Sequence, residues 1–108
     1  FILEANTNVP KIFKARKKTI GIRIPQNNIA LELVKQLGDP IVSTSIHGAD
    51  QILEYITDPI EIHENYKNLV DIVIDGGVGN IEPSTVLDCS TGEIEIIREG
   101  AGDIQQFL

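Results

Sequence analysis

The beginning of the chain alternates short apolar runs with turn-forming residues. Residues 1–5 open with three apolar side chains and are followed at 6–10 by Asn and Pro, which predicts a short strand and then a turn. Residues 19–24 carry apolar side chains at every second position and are closed by a proline. This alternation predicts a second strand, with Arg23 on the face opposite to the apolar side chains.

Two segments carry the signals of helices. Asn27 or Asn28 can cap the first helix, and Gly38 follows its last turn. The second helix is predicted to begin after Asp58, which is followed by a proline in the first turn, and to end near Lys67. The first helix has its apolar residues on one stripe, at Ile29, Ala30, Leu33, Val34 and Leu37.

The remaining apolar runs predict further strands. Residues 41–45 are strand-like, and residues 69–74 form a nearly continuous apolar run, as expected of a strand buried on both faces. Residues 85–88 and 93–98 are predicted to form a hairpin around a turn at 90–92. Helices that alternate with strands and end in a hairpin predict an α/β domain with a mixed sheet and flanking helices.

Composition limits the class of protein. The chain has 108 residues, of which 42% are hydrophobic and 23% charged, and this fits one globular domain. The only cysteine, Cys89, cannot form an internal disulfide, so the cytoplasm is the expected compartment. No apolar run approaches the roughly 20 residues that span a bilayer. Because the chain lacks Met and opens on apolar residues, we expect an incomplete domain in which residues 1–5 lie inside a sheet.

Charge is unevenly distributed along the chain. The net charge is −7, yet five of the nine basic residues lie between Lys11 and Lys18. An acidic body argues against coating nucleic acid by bulk electrostatics, whereas an isolated basic segment suits local capture of phosphate groups. A solvated surface loop is the alternative interpretation of the same segment.

Hydroxyl groups and arginines mark the candidate site. Ser43, Thr44 and Ser45 end a predicted strand and lead into a glycine-containing loop, where open α/β sheets bind ligands. Ser84 and Thr85 repeat this pattern before a later strand. Such hydroxyls can bind a small polar ligand or can satisfy their own backbone, and the sequence leaves both open.

Two arginines carry the planar fork that binds carboxylate or phosphate groups with paired hydrogen bonds. Arg23 and Arg98 each lie on a predicted strand and could converge with the hydroxyl clusters on one anion. Taken alone, Arg98 also fits a solvated strand residue or an ion pair with Glu99. We therefore expect a shared cavity for Arg23, Ser43, Ser84 and Arg98.

Other candidate chemistry finds no support in the sequence. His47 and His63 have no identifiable partner, so neither is assigned a catalytic role. The glycine-rich turn at 75–79 is followed by no helix signal and no Lys-Ser/Thr pair, and we interpret it as a turn rather than a phosphate loop. No catalytic residue and no metal ligand is assigned.

Six motifs in a fixed order resemble the YrdC/YciO family. They cover residues 1–3 (FIL), 17–25 (KKTIGIRIP), 40–45 (PIVSTS), 71–77 (DIVIDGG), 82–88 (EPSTVLD) and 97–102 (IREGAG). The resemblance extends over all of residues 1–108 and corresponds to the C-terminal half of the family domain. It implies a twisted α/β fold of the YrdC/RibB type with a large positively charged cavity.

The resemblance also implies a chemistry. The synthases of the family combine ATP, L-threonine and bicarbonate into threonylcarbamoyl-AMP, which modifies an adenosine of tRNA. By position, Arg23, Ser43 and Ser84 match threonine-binding residues, and Ser45 and Arg98 match nucleotide-binding residues. Mg²⁺ is expected to accompany ATP, with ligands that the sequence does not identify.

Two departures from the synthase pattern qualify this expectation. The synthases typically carry Ser-x-Asn where this chain has Ser43-Thr44-Ser45, so Ser45 lacks the donor and the acceptor of an amide, and the chain is closer to the YciO branch. The Lys-x-Arg motif that binds ATP phosphates belongs to the family's N-terminal half, and this chain alone is expected to be inactive. The alternatives are a non-enzymatic RNA- or nucleotide-binding module, with tRNA or double-stranded RNA as partner, and a purely structural domain.

Overall fold

The chain forms two compact units. A computed structural model describes residues 1–13, 16, 18–47 and 55–107. The first unit combines Phe1–Ile24 with Glu82–Leu108, and the second consists of Pro25–Ile81. The first unit thus joins the two ends of the chain.

A four-stranded mixed sheet organises the first unit. Its strand order is β2-β1-β3-β4, in which β1 is antiparallel to β2 and parallel to β3, while β3 and β4 are antiparallel. This arrangement confirms the predicted mixed sheet, the hairpin and the interior position of the first strand. The strands are β1 (Ile2–Glu4), β2 (Thr19–Gly21), β3 (Val86–Asp88) and β4 (Glu95–Arg98).

The core of this unit is small. Leu87 on β3 is 3% exposed and is the one buried hydrophobic residue in the part of the chain that the structure describes. The rings of Phe1 and Phe107 meet edge to face, with centroids 5.4 Å apart, and so bring both ends of the unit together. Two short 3₁₀ helices, Lys11–Phe13 and Gln105–Phe107, were not predicted.

The first helix of the second unit, α1 (Asn28–Leu37), has a satisfied cap at each end. The side chain of Asn27 accepts a hydrogen bond from the backbone N–H of Ala30, which decides between the two predicted caps. Gly38 follows in the left-handed region, with φ 80°, and its N–H donates to Val34. The predicted helix is therefore confirmed at both ends.

The second helix, α2 (Pro59–Tyr66), begins and ends where the sequence predicts. Asp58 accepts from the N–H of Ile60 at 2.9 Å, and proline occupies the first turn. At the other end, the N–H of Lys67 donates to His63. None of the described helices is long and apolar enough to cross a membrane.

Two predicted strands of the second unit are wrong. Residues 41–45 and 69–74 pair with no strand in the described part of the chain. A strand exists only where a neighbour supplies ladder hydrogen bonds, and an apolar run by itself does not guarantee one. The side chains remain exposed as well, with Val42 at 79% and Ile72 at 76%.

Strand lengths and turns also differ in detail from the prediction. β2 ends at Gly21 rather than at 24, and Ile24 is 70% exposed instead of facing a core. At 75–79, the carboxylate of Asp75 accepts from the N–H of Gly77 (φ 87°), and no helix follows, in keeping with a turn. The predicted glycine-containing loop at 46–50 lies outside the described residues from 48 onward.

Candidate functional site

A β-bulge sets the position of Arg98. Leu87 pairs with Ile96, but the next pair is Val86 with Arg98, so Ile97 is an extra residue on β4. Without the bulge, the register would continue and place Arg98 opposite Thr85. Bulges bend a strand and re-aim a side chain, and here the shift occurs at the last residue of β4.

The guanidinium of Arg98 is fixed to Ser84. Its Nε donates to the backbone oxygen of Ser84 at 2.9 Å, and its Nη2 donates to the Ser84 Oγ at 3.3 Å. One edge of the guanidinium is thereby used within the protein. The Nη1 protons face away from this edge, and the Ser84 hydroxyl, which accepts from Arg98, retains its own proton for donation. Both groups therefore keep protons that they can donate to a ligand.

The side chain of Thr85 connects residues 83–85 to residues 98–102 by hydrogen bonds. Its Oγ1 accepts from the N–H of Gly100 at 2.9 Å and donates to the oxygen of Gly102 at 2.7 Å. The N–H of Ala101 also donates to the oxygen of Pro83 at 3.0 Å. We call residues 83–85 and 98–102, joined by these bonds and by the Arg98–Ser84 pair, the clasp.

The clasp requires a glycine at position 100. A Cβ added to Gly100 would overlap the backbone oxygen of Pro83 and lie 3.0 Å from the carbonyl carbon of Ser84. These are backbone atoms, which cannot move aside as the end of a side chain can. Gly100 therefore allows the two segments to approach closely enough for the hydrogen bonds of Thr85 to form.

The strand register brings Arg23 to the same end of the sheet as Arg98. Phe1 and Ile22 exchange two backbone hydrogen bonds of 2.7 Å, so Arg23 lies one row beyond them. A row here is the set of residues that lie side by side across the strands. In β3 and β4, the register assigns the row of Arg23 to Val86 and to its pairing partner Arg98. β2 and β4 are separated by two strands, which corresponds to roughly 14 Å between their backbones. Arg23 is exposed and makes no hydrogen bond with another described residue.

The remaining predicted site residues lie in the second unit. Ser43 and Ser45 are exposed and belong to a segment that has no ladder partner among the described residues. The basic segment between Lys11 and Lys18 belongs to the first unit. The structure describes it only at Lys11, Arg16 and Lys18, and its other basic residues, at 14 and 17, lie outside the described residues. Within the described ranges, no group of three His, Cys, Asp or Glu side chains could hold a metal ion.

The sequence does not predict how two residues of the clasp are used. Thr85 is expected only as a hydroxyl beside Ser84 and as the start of a strand, and Gly100 only as part of a family motif. Their roles depend on the bulge and on a close approach of backbones, and neither leaves a periodic pattern in the sequence. The neighbouring hydroxyl and glycine residues in EPSTVLD and IREGAG were the only signal.

A family described as "Telomere recombination", which unites the YciO and YrdC proteins, matches residues 1–100 of the chain. The chain belongs to the YrdC/YciO family. It is 38% identical over 109 residues to an uncharacterized protein of Haemophilus influenzae, a match that covers 100% of the chain and 53% of that protein. Its identity to the uncharacterized protein YciO of Escherichia coli is 38% over 110 residues, covering 100% of the chain and 52% of YciO.

The fold agrees with a solved member of the family. The crystal structure of E. coli YciO matches with a TM-score of 0.85 and 37% sequence identity, and the match covers 99% of the chain and 52% of YciO. A threonylcarbamoyl-AMP synthase of Klebsiella pneumoniae is more distant, at 27% identity over 100 residues, which are 93% of the chain and 50% of that enzyme. The chain spans about half the length of the curated relatives that it matches.

Proposed function

We propose that the chain supplies the ATP- and threonine-binding part of a threonylcarbamoyl-AMP synthase-like protein. The observation that carries the proposal is the Arg98–Ser84 pair, held by two hydrogen bonds at the end of the sheet. A fixed guanidinium beside a hydroxyl is suited to an anion, and both residues lie in motifs that resemble those of the synthases. We place this activity in the cytoplasm, where ATP, threonine and tRNA are available.

The proposed site residues divide between the two substrates. Arg98 and Ser45 bind the nucleotide, with the Nη1 edge of Arg98 directed to a phosphate oxygen. Arg23 binds the threonine carboxylate through two parallel hydrogen bonds, and Ser43 and Ser84 donate to the same substrate. The separation of Arg23 and Arg98 within one row fits two anionic groups on different substrates better than one group shared by both.

The proposed reaction requires positioning rather than a covalent nucleophile. The threonine amine takes up the carbon of bicarbonate with release of water, which gives a carbamate. A carbamate oxygen then attacks the α-phosphorus of ATP, and pyrophosphate leaves with the electrons of the broken P–O bond. The fixed guanidinium of Arg98 stabilises the charge that develops on the phosphate oxygens, since it needs no reorganisation during the step.

Mg²⁺ enters this proposal only with ATP. The described part of the chain offers no cluster of three metal-ligating side chains, so a dedicated protein site finds no support there. Mg²⁺ is commonly held by the phosphates of a nucleotide and by water, with few protein ligands. We therefore assign the ion to the ATP complex and no ligand to the protein.

A binding module without catalysis is the second candidate function. It is favoured by the replacement of the synthases' Asn by Ser45 and by the five basic residues between Lys11 and Lys18. Such a module would bind tRNA or double-stranded RNA through phosphate contacts, and its affinity would fall steeply with salt.

The two functions are separated by one assay on the full-length protein. A synthase releases pyrophosphate from ATP only when threonine and bicarbonate are both present, and threonylcarbamoyl-AMP appears in the mass spectrum. A binding module shows salt-dependent RNA affinity and no pyrophosphate. Turnover that persists without threonine would contradict the proposed reaction.

Two variants sharpen this assay. Ser45→Asn restores the amide donor and acceptor and is expected to raise ATP affinity, by about 0.5–1.5 kcal/mol for one added hydrogen bond. Lys67→Gln removes an exposed ion pair with Glu64 on α2 and serves as the control, with unchanged turnover. If Ser45→Asn lowers ATP affinity, position 45 is not part of the nucleotide site.

A further inference from the structure

The hydroxyl of Thr85 makes two hydrogen bonds within the protein. Its Oγ1 has one donor partner, the N–H of Gly100, and one acceptor partner, the oxygen of Gly102, and both bonds are partly buried. Ser84 differs, because its hydroxyl meets only the guanidinium of Arg98 among the described residues. Thr85 therefore has no proton left to donate to a ligand, whereas Ser84 has one.

Arg98 is the last residue that the ladder between β3 and β4 holds, through its pairing with Val86. The bulge at Ile97 interrupts the regular register one residue earlier, and β4 ends at Arg98. Beyond this residue, the chain is held against residues 83–85 by the two bonds of Thr85 and by the bond from Ala101 to Pro83. The direction in which the chain leaves β4 thus depends on the clasp.

We infer that Thr85 is a positioning residue that holds Arg98 and Ser84 in their ligand-binding arrangement. By fixing Gly100, it keeps the end of β4 close to Ser84, so that the Nε and Nη2 of Arg98 reach their acceptors. The remaining edge of the guanidinium is then presented in one orientation. The ligand-binding roles of Arg98 and Ser84 rest on the proposed function, but the positioning itself is a property of the unliganded protein.

The test compares Thr85→Val with Thr85→Ser in the full-length protein. Valine keeps the shape of threonine but has no hydroxyl, which leaves the Gly100 N–H and the Gly102 oxygen without partners. Serine keeps the hydroxyl and loses one methyl group. Asn27→Ala, which removes the cap of α1, is the control for general destabilisation. The measurements are hydrogen exchange at the Arg98 Nε–H by NMR and the affinity for ATP, both well below the melting temperature.

Thr85→Val is expected to speed exchange at the Arg98 Nε–H and to weaken ATP binding, each on the order of tenfold, as for the loss of hydrogen bonds in a partly buried site. Thr85→Ser and Asn27→Ala are expected to stay within about twofold of the wild type. If Thr85→Val does not fold, Thr85→Cys replaces it, since a thiol is a weak donor and acceptor, and the same comparison with Thr85→Ser applies.

The outcomes separate this inference from the proposed function. Faster exchange at Arg98 in Thr85→Val, in a protein that binds no ATP even as wild type, supports the positioning role and contradicts the proposed function. A lower melting temperature with unchanged exchange at Arg98 and unchanged ATP affinity overturns the positioning role, because Thr85 then contributes stability alone.

Discussion

Arg98 and Arg23 differ in how firmly their guanidinium groups are held. Arg98 is anchored along its Nε–Nη2 edge to Ser84, whereas Arg23 contacts no described residue by hydrogen bond or ion pair. A lysine in place of either arginine keeps the charge and loses the planar fork. At position 98, the substitution also removes the anchor, because one ammonium cannot reproduce both bonds in the same geometry.

The two arginines are expected to affect different substrates. Arg23→Lys in the full-length protein should weaken threonine binding by about 1–3 kcal/mol, the range for hydrogen bonds to charged groups, and should change ATP affinity much less. Arg98→Lys should produce the reverse pattern. Calorimetric titration of each variant with each ligand decides the matter. A normal threonine affinity with a collapsed ATP affinity in Arg23→Lys would show that this arginine is assigned to the wrong substrate.

Gly100 is expected to be far more sensitive to substitution than Gly21. An added Cβ at Gly100 meets the backbone of Pro83, so Gly100→Ala should cost about 1–3 kcal/mol of unfolding free energy as the clasp is forced apart. Nothing lies within 4 Å of a Cβ at Gly21 on β2, and its φ is not positive. Gly21→Ala should therefore be neutral or stabilising by up to about 1 kcal/mol.

Urea denaturation of both glycine variants provides the measurement. The midpoint should fall for Gly100→Ala and should stay or rise for Gly21→Ala, with similar slopes for both. Equal losses would mean that the close approach of 83–85 to 98–102 is not retained in solution.

At the scale of elements, the helices are determined by local interactions. Each N-cap is a single side chain three or fewer positions from the N–H group that it binds, and such signals are readable in the sequence. Asn27→Ala should cost about 0.5–2 kcal/mol, because the N–H of Ala30 loses its acceptor. Asn28→Ala, one position inside α1, should change stability by less than about 0.5 kcal/mol. Thermal denaturation of the two variants checks the prediction, and a larger loss for Asn28→Ala would assign the cap to the wrong asparagine.

Strands are less predictable because their partners are distant in sequence. The alternation and turn residues correctly predicted the positions of β1, β2 and the hairpin, although β2 proved shorter. Residues 41–45 and 69–74 have the composition of strands but no pairing partner among the described residues. The bulge that places Arg98 is equally invisible in the sequence, since it follows from pairing two strands whose register is set by their packing.

The same limit applies to the candidate site. Ser84 and Arg98 were selected from their residue types and from the family resemblance, and the structure brings them into hydrogen-bond contact. The anchoring role of Thr85 could not be inferred from the sequence. It depends on the close approach of the backbone at Gly100 to the backbone at Pro83 and Ser84, which are distant in sequence. Ser43 and Ser45 belong to the second unit, whereas Arg98 belongs to the first. That these residues bind ligands in one common site stays a prediction.

At the scale of the whole molecule, the part of the chain that the structure describes has little buried core. Leu87 is 3% exposed, whereas large apolar side chains in both units are mostly accessible to solvent. Domains of about 100 residues normally bury many such side chains, and large exposed apolar surfaces mark contacts with other protein segments. The exposed set includes Val42 (79%), Leu69 (76%), Ile72 (76%) and Val78 (76%) in the second unit.

The exposure of these side chains predicts how substitutions change the free energy of unfolding, both in the 108-residue chain alone and in the full-length protein. In the 108-residue chain alone, Leu87→Ala should cost about 2–5 kcal/mol because it empties the core, while Ile72→Ala should cost less than about 0.5 kcal/mol because its side chain contacts water. In the full-length protein, we expect residues 69–74 to be covered by further chain, as the match to about half of YciO suggests. Ile72→Ala should then cost about 2–5 kcal/mol as well.

Urea denaturation of both variants in both contexts provides the comparison, and binding of a fluorescent apolar dye gives an independent readout. The isolated chain should bind the dye strongly and self-associate as its concentration rises, since its apolar side chains are accessible. The full-length protein should do neither. If Ile72→Ala is equally mild in both contexts, residues 69–74 remain on the surface of the complete protein, and the apolar run has to be explained by a contact with a separate molecule.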